Sequence, residues 1–209
     1  MSALQINKAL EALKSDPVMD FLAQHFGHVI TISDRYETDH AKALALLVVE
    51  QQVSFKAAYT IKQRFLRIIE GLNYKEILNL DNDLIQSAGL SRRKVEYIKN
   101  IYAHFYEARR DYSSMSPGAI SASLIKIKGV GKWTIEMFLI FVLGETDIFS
   151  KGDLALINSV KRNYGLDPLR DEDLDSLIDR WSPHNTVASL LLWRSVEEKI
   201  YYTPKDHDA

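Results

Sequence analysis

The chain has 209 residues, 46% of them hydrophobic and 26% charged, with a net charge of −2, the balance of an ordinary globular protein long enough to bury a core. Cysteine is absent, which excludes disulfides, thiolate zinc sites, cysteine-ligated iron–sulfur clusters and a cysteine nucleophile. The opening MSALQINKALEALKSD is charged and has no signal-peptide core, so a cytoplasmic protein is expected, and the run IEMFLIFVLG is about half of the roughly 20 residues a membrane span needs.

In chain order, helical periodicity dominates. MDFLAQHF (Met19–Phe26), AKALALLVVEQQ (Ala41–Gln52), SFKAAYTIKQRFLRIIEGL (Ser54–Leu72), NDLIQSAGL (Asn82–Leu90), SRRKVEYIKNIYAHFYEARR (Ser91–Arg110) and GAISASLIKIK (Gly118–Lys128) repeat apolar residues every three or four positions. Ser91 fits an N-cap, Ser116-Pro117 an N-cap and first turn, and Gly71, Gly89, Gly144 and Gly165 fit helix ends. No stretch alternates as a strand, so the fold is expected to be all-α with short links and no repeat or linker. Lys132–Leu143 is apolar on nearly every face, which predicts a helix buried all round.

Charge is unevenly placed. DPLRDEDLDSLID is acidic, whereas Lys and Arg gather at Lys56–Arg67, at Arg92-Arg93-Lys94, and at Lys126, Lys128 and Lys132. A basic face beside an acidic lobe fits a polyanion bound on one side, and it equally fits a solvated surface without a partner.

The stretch IKGVGKWT opens the buried helix. Gly129 and Gly131 permit φ > 0 and leave the amides at the start of that helix unshielded, where unpaired donors and the helix dipole favour an anion. Lys128 and Lys132 flank those amides; a cation in a first turn opposes the dipole, and a docked anion relieves that cost. Arg92-Arg93-Lys94 repeats the pattern, so two successive phosphates of one strand are a candidate ligand. Taken alone, G-x-G is also an ordinary turn between helices.

The longer stretch LIKIKGVGKWTIEMFLIFVLGETDIFSKGDLAL resembles the hairpin and catalytic loop of the helix-hairpin-helix DNA glycosylase superfamily, and within it the alkylpurine branch of 3-methyladenine DNA glycosylase II. The pattern is a glycine hairpin, a buried helix ending in L-G, and an aspartate opening the next helix, here Asp153, 20 residues beyond Trp133. VVEQQVSFKAAYTIKQRF is similar to the family's DNA-inserting helix-turn-helix, AGLSRRKVEYIKNI to its G-h-S-x-x-K-x-x-Y-h segment, and RWSPHNTVASLLLWR to its C-terminal W-x-P-x-x-x-x-A-x-x-x-L-W-R. Two departures stand out: Phe149-Ser150-Lys151-Gly152 where a proline is usual before the aspartate, and Asp153-Leu154-Ala155-Leu156 where D-L-G-h is common. Lys151 is thereby expected close to the acid.

The resemblance implies a two-lobed all-α fold with its active site in the cleft between the lobes. One lobe would span about residues 45–144, and the other about 1–44 with 145–209. It implies double-stranded DNA containing alkylated bases as the partner, a monomer, no membrane and no required cofactor. The hairpin at Gly129, Gly131, Lys128, Lys132 and Thr134 would bind phosphate, with Gln52 and Ser54 at the inserting turn and Gln52 as the wedge. The carbonyls of Ile125, Ile127 and Val130 would hold a sodium or potassium ion.

In the same superfamily, members that also cut the backbone carry lysine just before the hairpin threonine. Here that place holds Trp133, and Lys132 points about 100° around the helix from it. The resemblance therefore implies a monofunctional enzyme hydrolysing the N-glycosidic bond. An alkylated purine is already cationic and leaves readily, so one carboxylate suffices to steady the oxocarbenium-like transition state. Asp153 is the candidate, although a plain N-cap is the commoner role of such an aspartate; Glu136, Glu145 and Asp147 are alternatives. Trp133 and Trp193 are candidate pocket walls for an electron-poor ring, with a gain of roughly 0.5–2 kcal/mol over a normal base, and Trp181 is assigned to the core. His25 and His28 have ligand-like spacing but no third partner, so no metal is expected there. The competing readings are a non-catalytic DNA-binding module and a helical scaffold without DNA.

Overall fold

Short polar side chains set most of the helix starts. In the computed structural model of the chain, residues 1–32, 37–108 and 112–204 are described, and among them every regular element is helical. Asp16 caps α2 (Pro17–Phe26), Asp39 caps α3 (His40–Glu50), Ser54 caps α4 (Phe55–Ile69) and Asn73 caps α5 (Tyr74–Asn79). α1 (Ala3–Leu13) opens on a Ser2–Gln5 capping box and α6 (Asn82–Gln86) on Asp81. Ser91 Oγ accepts from the Lys94 amide at the start of α7 (Arg92–Ala108), 3.3 Å; Arg109 and Arg110, expected on the same helix, lie outside the described residues. Ser116-Pro117 opens α8 (Pro117–Leu124) as cap and first residue. Gly71, Gly89, Gly144 and Gly165 all have positive φ, the conformation that stops a helix most cheaply at glycine.

The chain divides into two compact units, residues 1–34 with 144–209, and residues 35–143. In the second unit α3 is the axis. Its residues Ala41 and Ala43–Val49 are all buried, and it packs against α4, α7 and α9 (Lys132–Phe138). The expected all-round burial of the later helix holds for Thr134–Ile140 and Val142. That helix widens into a π-helical turn over Leu139–Leu143, a change that a uniformly apolar run cannot signal. Lys132 and Trp133, in its first turn, are exposed.

In the first unit α12 (Asn185–Glu198) plays the same part. It packs against α1, α2, α10 (Leu154–Tyr164) and α11 (Asp171–Trp181), and Asn185–Leu192 are buried without a break. Burying a leucine-sized side chain is worth about 1.5–3 kcal/mol, so the two axial helices explain why each unit holds its shape. Trp181 is core, 1% exposed, and its indole N–H reaches Asp16 at 3.4 Å. A buried polar network ties α10 to α12: Asn163 Nδ2 donates to Ser159 and Ser195 hydroxyls at 3.1 and 3.0 Å, and Ser159 Oγ donates to the Leu192 carbonyl at 2.8 Å.

Candidate functional site

The glycine turn joins α8 to α9, and its two glycines differ. Gly129 has φ +101, and a Cβ there would fall 2.1 Å from Tyr97 Cγ; the turn needs glycine for its own fold. Gly131 has φ −96, and a Cβ there would meet nothing within 4 Å. The fold does not require glycine at that place. Gly131 is also the N-cap of α9, so no side chain caps the first amides, and the first turn holds no acid. Among the described residues, two other helices lack a side-chain cap. α11 supplies Asp171, Glu172 and Asp173 in its own first turn. α12 receives Asp147, whose Oδ1 accepts from Asn185 Nδ2 at 2.6 Å and from the Asn185 amide at 3.4 Å. α9 begins instead with Lys132, the arrangement that an external anion would complete.

The hairpin cations are exposed and engaged with acids. Lys128 Nζ pairs with Glu96 at 2.6 Å, which raises its pKa, and Lys132 Nζ lies 3.8 Å from Glu136. Thr134 is 2% exposed, and its hydroxyl accepts from Gln51 Nε2 at 2.8 Å. The hydroxyl thus faces the α3–α4 corner. Ile127 O accepts from the Val130 amide at 3.0 Å, which leaves that carbonyl one further lone pair.

At the α3–α4 corner Gln51 turns inward to Thr134, while Gln52, Val53 and Ser54 are exposed. Gln52 has φ +52, a left-handed conformation that costs a non-glycine residue roughly 1–3 kcal/mol. Ser54 Oγ accepts from the Ala57 amide at 3.4 Å and so starts α4.

Asp153 lies in the other unit. It is the N-cap of α10, with Oδ1 accepting from the Leu156 amide at 3.0 Å and from Trp193 Nε1 at 3.2 Å. The loop before it is stitched to α12. Thr186 Oγ1 donates to the Glu145 carbonyl and accepts from the Ile148 amide, 2.7 and 3.2 Å, and Ser182 Oγ donates to Asp147 at 2.7 Å. Trp193 continues the α12 face that carries Thr186 and Ser189. A half-buried carboxylate is thus held by a helix start and an indole N–H, the environment needed to keep a negative charge fixed in place.

The family model of the HhH-GPD superfamily base excision DNA repair protein matches residues 46–183. The chain belongs to the HhH-GPD superfamily. Its relatives include DNA-3-methyladenine glycosylase 1 of Schizosaccharomyces pombe, 27% identical over 165 residues, covering 75% of this chain and 72% of the relative. DNA-3-methyladenine glycosylase of Bacillus subtilis is 29% identical over 203 residues, covering 88% and 65%. In some matches the chain spans little more than half of the relative, 56% and 59% in two cases. Among solved structures, the Schizosaccharomyces pombe 3-methyladenine DNA glycosylase in complex with abasic DNA superposes with a TM-score of 0.80 at 26% identity, over 91% of this chain and 97% of that one. The Bacillus halodurans DNA-3-methyladenine glycosidase gives 0.74 at 29%, over 91% and 90%.

Several side chains of this HhH-GPD chain sit elsewhere than their sequence position suggests. Lys151, expected near Asp153, pairs with Asp175 on α11. Lys94, expected to face a phosphate, donates to the carbonyls of Val49 and Gln51 at 2.9 and 2.6 Å, and burial lowers its pKa. Of the alternative acids, Asp147 serves the start of α12 and Glu136 is 8% exposed within α9. His25 Nδ1 is 2.8 Å from the Phe21 carbonyl, and among the described residues no group of three or more His, Asp or Glu is placed to hold a metal ion. The partners missed from sequence, Tyr97 at Gly129, Gln51 at Thr134 and the Trp193 N–H at Asp153, are long-range contacts. Their trace in the sequence lay in the family-like VVEQQ, K-x-x-Y, G-K-W-T and L-W-R patterns.

Proposed function

We propose that the protein is a monofunctional DNA glycosylase that releases alkylated purines of the 3-methyladenine and 7-methylguanine type from double-stranded DNA, the first step of base excision repair. The observation that carries this reading is the Asp153 carboxylate, held at the start of α10 and by Trp193, in a chain of this superfamily. Relatives named for 3-methyladenine support the lesion class.

The bond to be broken is hidden in a stacked duplex, so the damaged nucleotide must first be flipped out. The uncapped amides of α9 at Gly131, with Lys128 and Lys132, take the backbone phosphate. Gln52, exposed on its left-handed turn, fills the gap left in the stack, with Ser54 beside it. The carbonyls of Ile125, Ile127 and Val130 would hold a sodium or potassium ion, which supplies positive charge beside that phosphate. The electron-poor base is received on Trp133, 39% exposed. As the N-glycosidic electron pair leaves with the base, positive charge builds on the sugar. Asp153 stabilises that charge, and water adds at C1′ and gives up a proton to solvent, leaving an abasic site. Asp153 does this at low reorganisation cost because it is already fixed.

The test is release of free 3-methyladenine or 7-methylguanine from alkylated DNA, with borohydride present in a parallel reaction. Free base without a trapped protein–DNA adduct, and strand breaks only after heat or alkali, are expected. Binding without release would reduce the protein to a DNA-binding module, and an efficiently trapped adduct would show an amine nucleophile.

A further inference from the structure

The turn that carries Gln52 is held from two sides by groups that the proposed chemistry leaves unused. α3 ends at Glu50, and the carbonyls of Val49 and Gln51 accept from Lys94 Nζ at 2.9 and 2.6 Å. Carbonyls at a helix end lack intrahelical partners, and an ammonium satisfies two of them at once. Lys94 sits in the first turn of α7 beside Arg92 and Arg93, which are exposed, whereas Lys94 is half-buried. From the other side, the Gln51 side chain is drawn to Thr134 of α9 at 2.8 Å. Tyr97, one turn beyond Lys94 on α7, is packed against Gly129 of the hairpin. A left-handed non-glycine residue persists only where its surroundings over-determine it, and Gln52 at φ +52 follows directly on the residue bracketed in this way.

We propose that Lys94 is a positioning residue of the wedge: by clamping the Val49 and Gln51 carbonyls, together with the Gln51–Thr134 bond, it imposes the outward left-handed turn at Gln52 and couples that turn to the glycine hairpin. The proposal rests on reading the Gln52 turn as the DNA-inserting element. It takes Lys94 out of the phosphate-binding set in which the run Arg92-Arg93-Lys94 would place it. The coupling has a use: an anion seated on the hairpin and a wedge entering the stack then share one rigid frame, so the wedge stands at a fixed offset from the bound strand.

Lys94→Met removes the ammonium and keeps most of the stem, and Thr134→Val breaks the other side of the bracket should the first variant fold poorly. Three readings are taken on each: the salt dependence of binding to undamaged duplex, the fluorescence of 2-aminopurine beside an abasic analogue, and single-turnover excision. Because Lys94 is not a phosphate contact, the salt slope of Lys94→Met should match the wild type. The equilibrium for base opening should fall roughly 10- to 100-fold, the span expected for losing charge-assisted hydrogen bonds, and excision should fall with it. Added to Gln52→Ala, Lys94→Met should cost nothing more, since it acts through that residue. A salt slope reduced by about one phosphate contact, unchanged 2-aminopurine fluorescence, or losses that add to those of Gln52→Ala would each overturn the proposal. A wild-type protein that opens the stack but releases no base would sink the glycosylase reading and leave the Lys94 proposal standing. A wild-type protein that gives no fluorescence rise would remove the wedge, and the Lys94 proposal with it.

Discussion

The starts of α9 and α10 carry the proposed chemistry and are built in opposite ways. α10 is closed from within: Asp153 caps its amides and is itself held by Trp193. α9 is left open, with a glycine cap, no acid in its first turn and a lysine leading it. The contrast shows how one local motif serves two ends. A helix start that supplies its own carboxylate fixes a negative charge, and one that supplies none waits for a charge from outside.

The largest expected effect tests the closed start. Asp153→Asn keeps an N-cap and an acceptor for the Trp193 N–H, so folding and binding to an abasic analogue should hold. Single-turnover excision should fall by about 10²–10³-fold, some 3–4 kcal/mol of transition-state stabilisation. Excision at the wild-type rate would make Asp153 a cap and nothing more.

The two glycines then separate fold from function within the open start. Gly129→Ala forces a side chain to φ +101 and into Tyr97, and should lower stability by about 2–4 kcal/mol in urea unfolding. Gly131→Ala should change stability by less than about 0.5 kcal/mol, yet weaken binding to every duplex sequence about tenfold, since a methyl group would stand between the amides and a phosphate. Equal losses of stability in both would erase the distinction.

Trp193→Phe is a milder perturbation of the closed start. It keeps most of the ring and drops the N–H to Asp153, so excision should slow about fivefold, near 1 kcal/mol, with binding unaltered. Smallest is Lys128→Ala, which should flatten the salt dependence of binding by about one phosphate contact. Because Glu96 holds that ammonium in the free protein, Glu96→Gln should tighten binding slightly.

What could be read from the sequence was what local chemistry decides. Ser116-Pro117 opens α8, Asp153 opens α10, and the all-helical character follows from spacing, because each depends on neighbours a few residues away. The resemblance carried the family. What escaped were pairings made only by folding. Gln51 and Thr134 are 83 residues apart, and Asp153 and Trp193 are 40 apart. Charge was the weakest guide. Lys151 and Lys94 looked available by position, yet Lys151 pairs with Asp175 and Lys94 turns to two carbonyls, since a long flexible side chain finds the best partner within reach.

The stitching of the 145–153 loop to α12 has a consequence for length. Thr186 and Trp193 grip the loop at its start and its end, and they stand seven residues, or about 10 Å, apart along the helix. α12 therefore works as a ruler. A residue added within α12 between those two marks would swing Trp193 about 100° away from Asp153, and a residue added to the loop would have to bulge between fixed stitches. Substitution can alter the chemistry of this loop, but insertion or deletion would put its acid out of register with the helix that measures it.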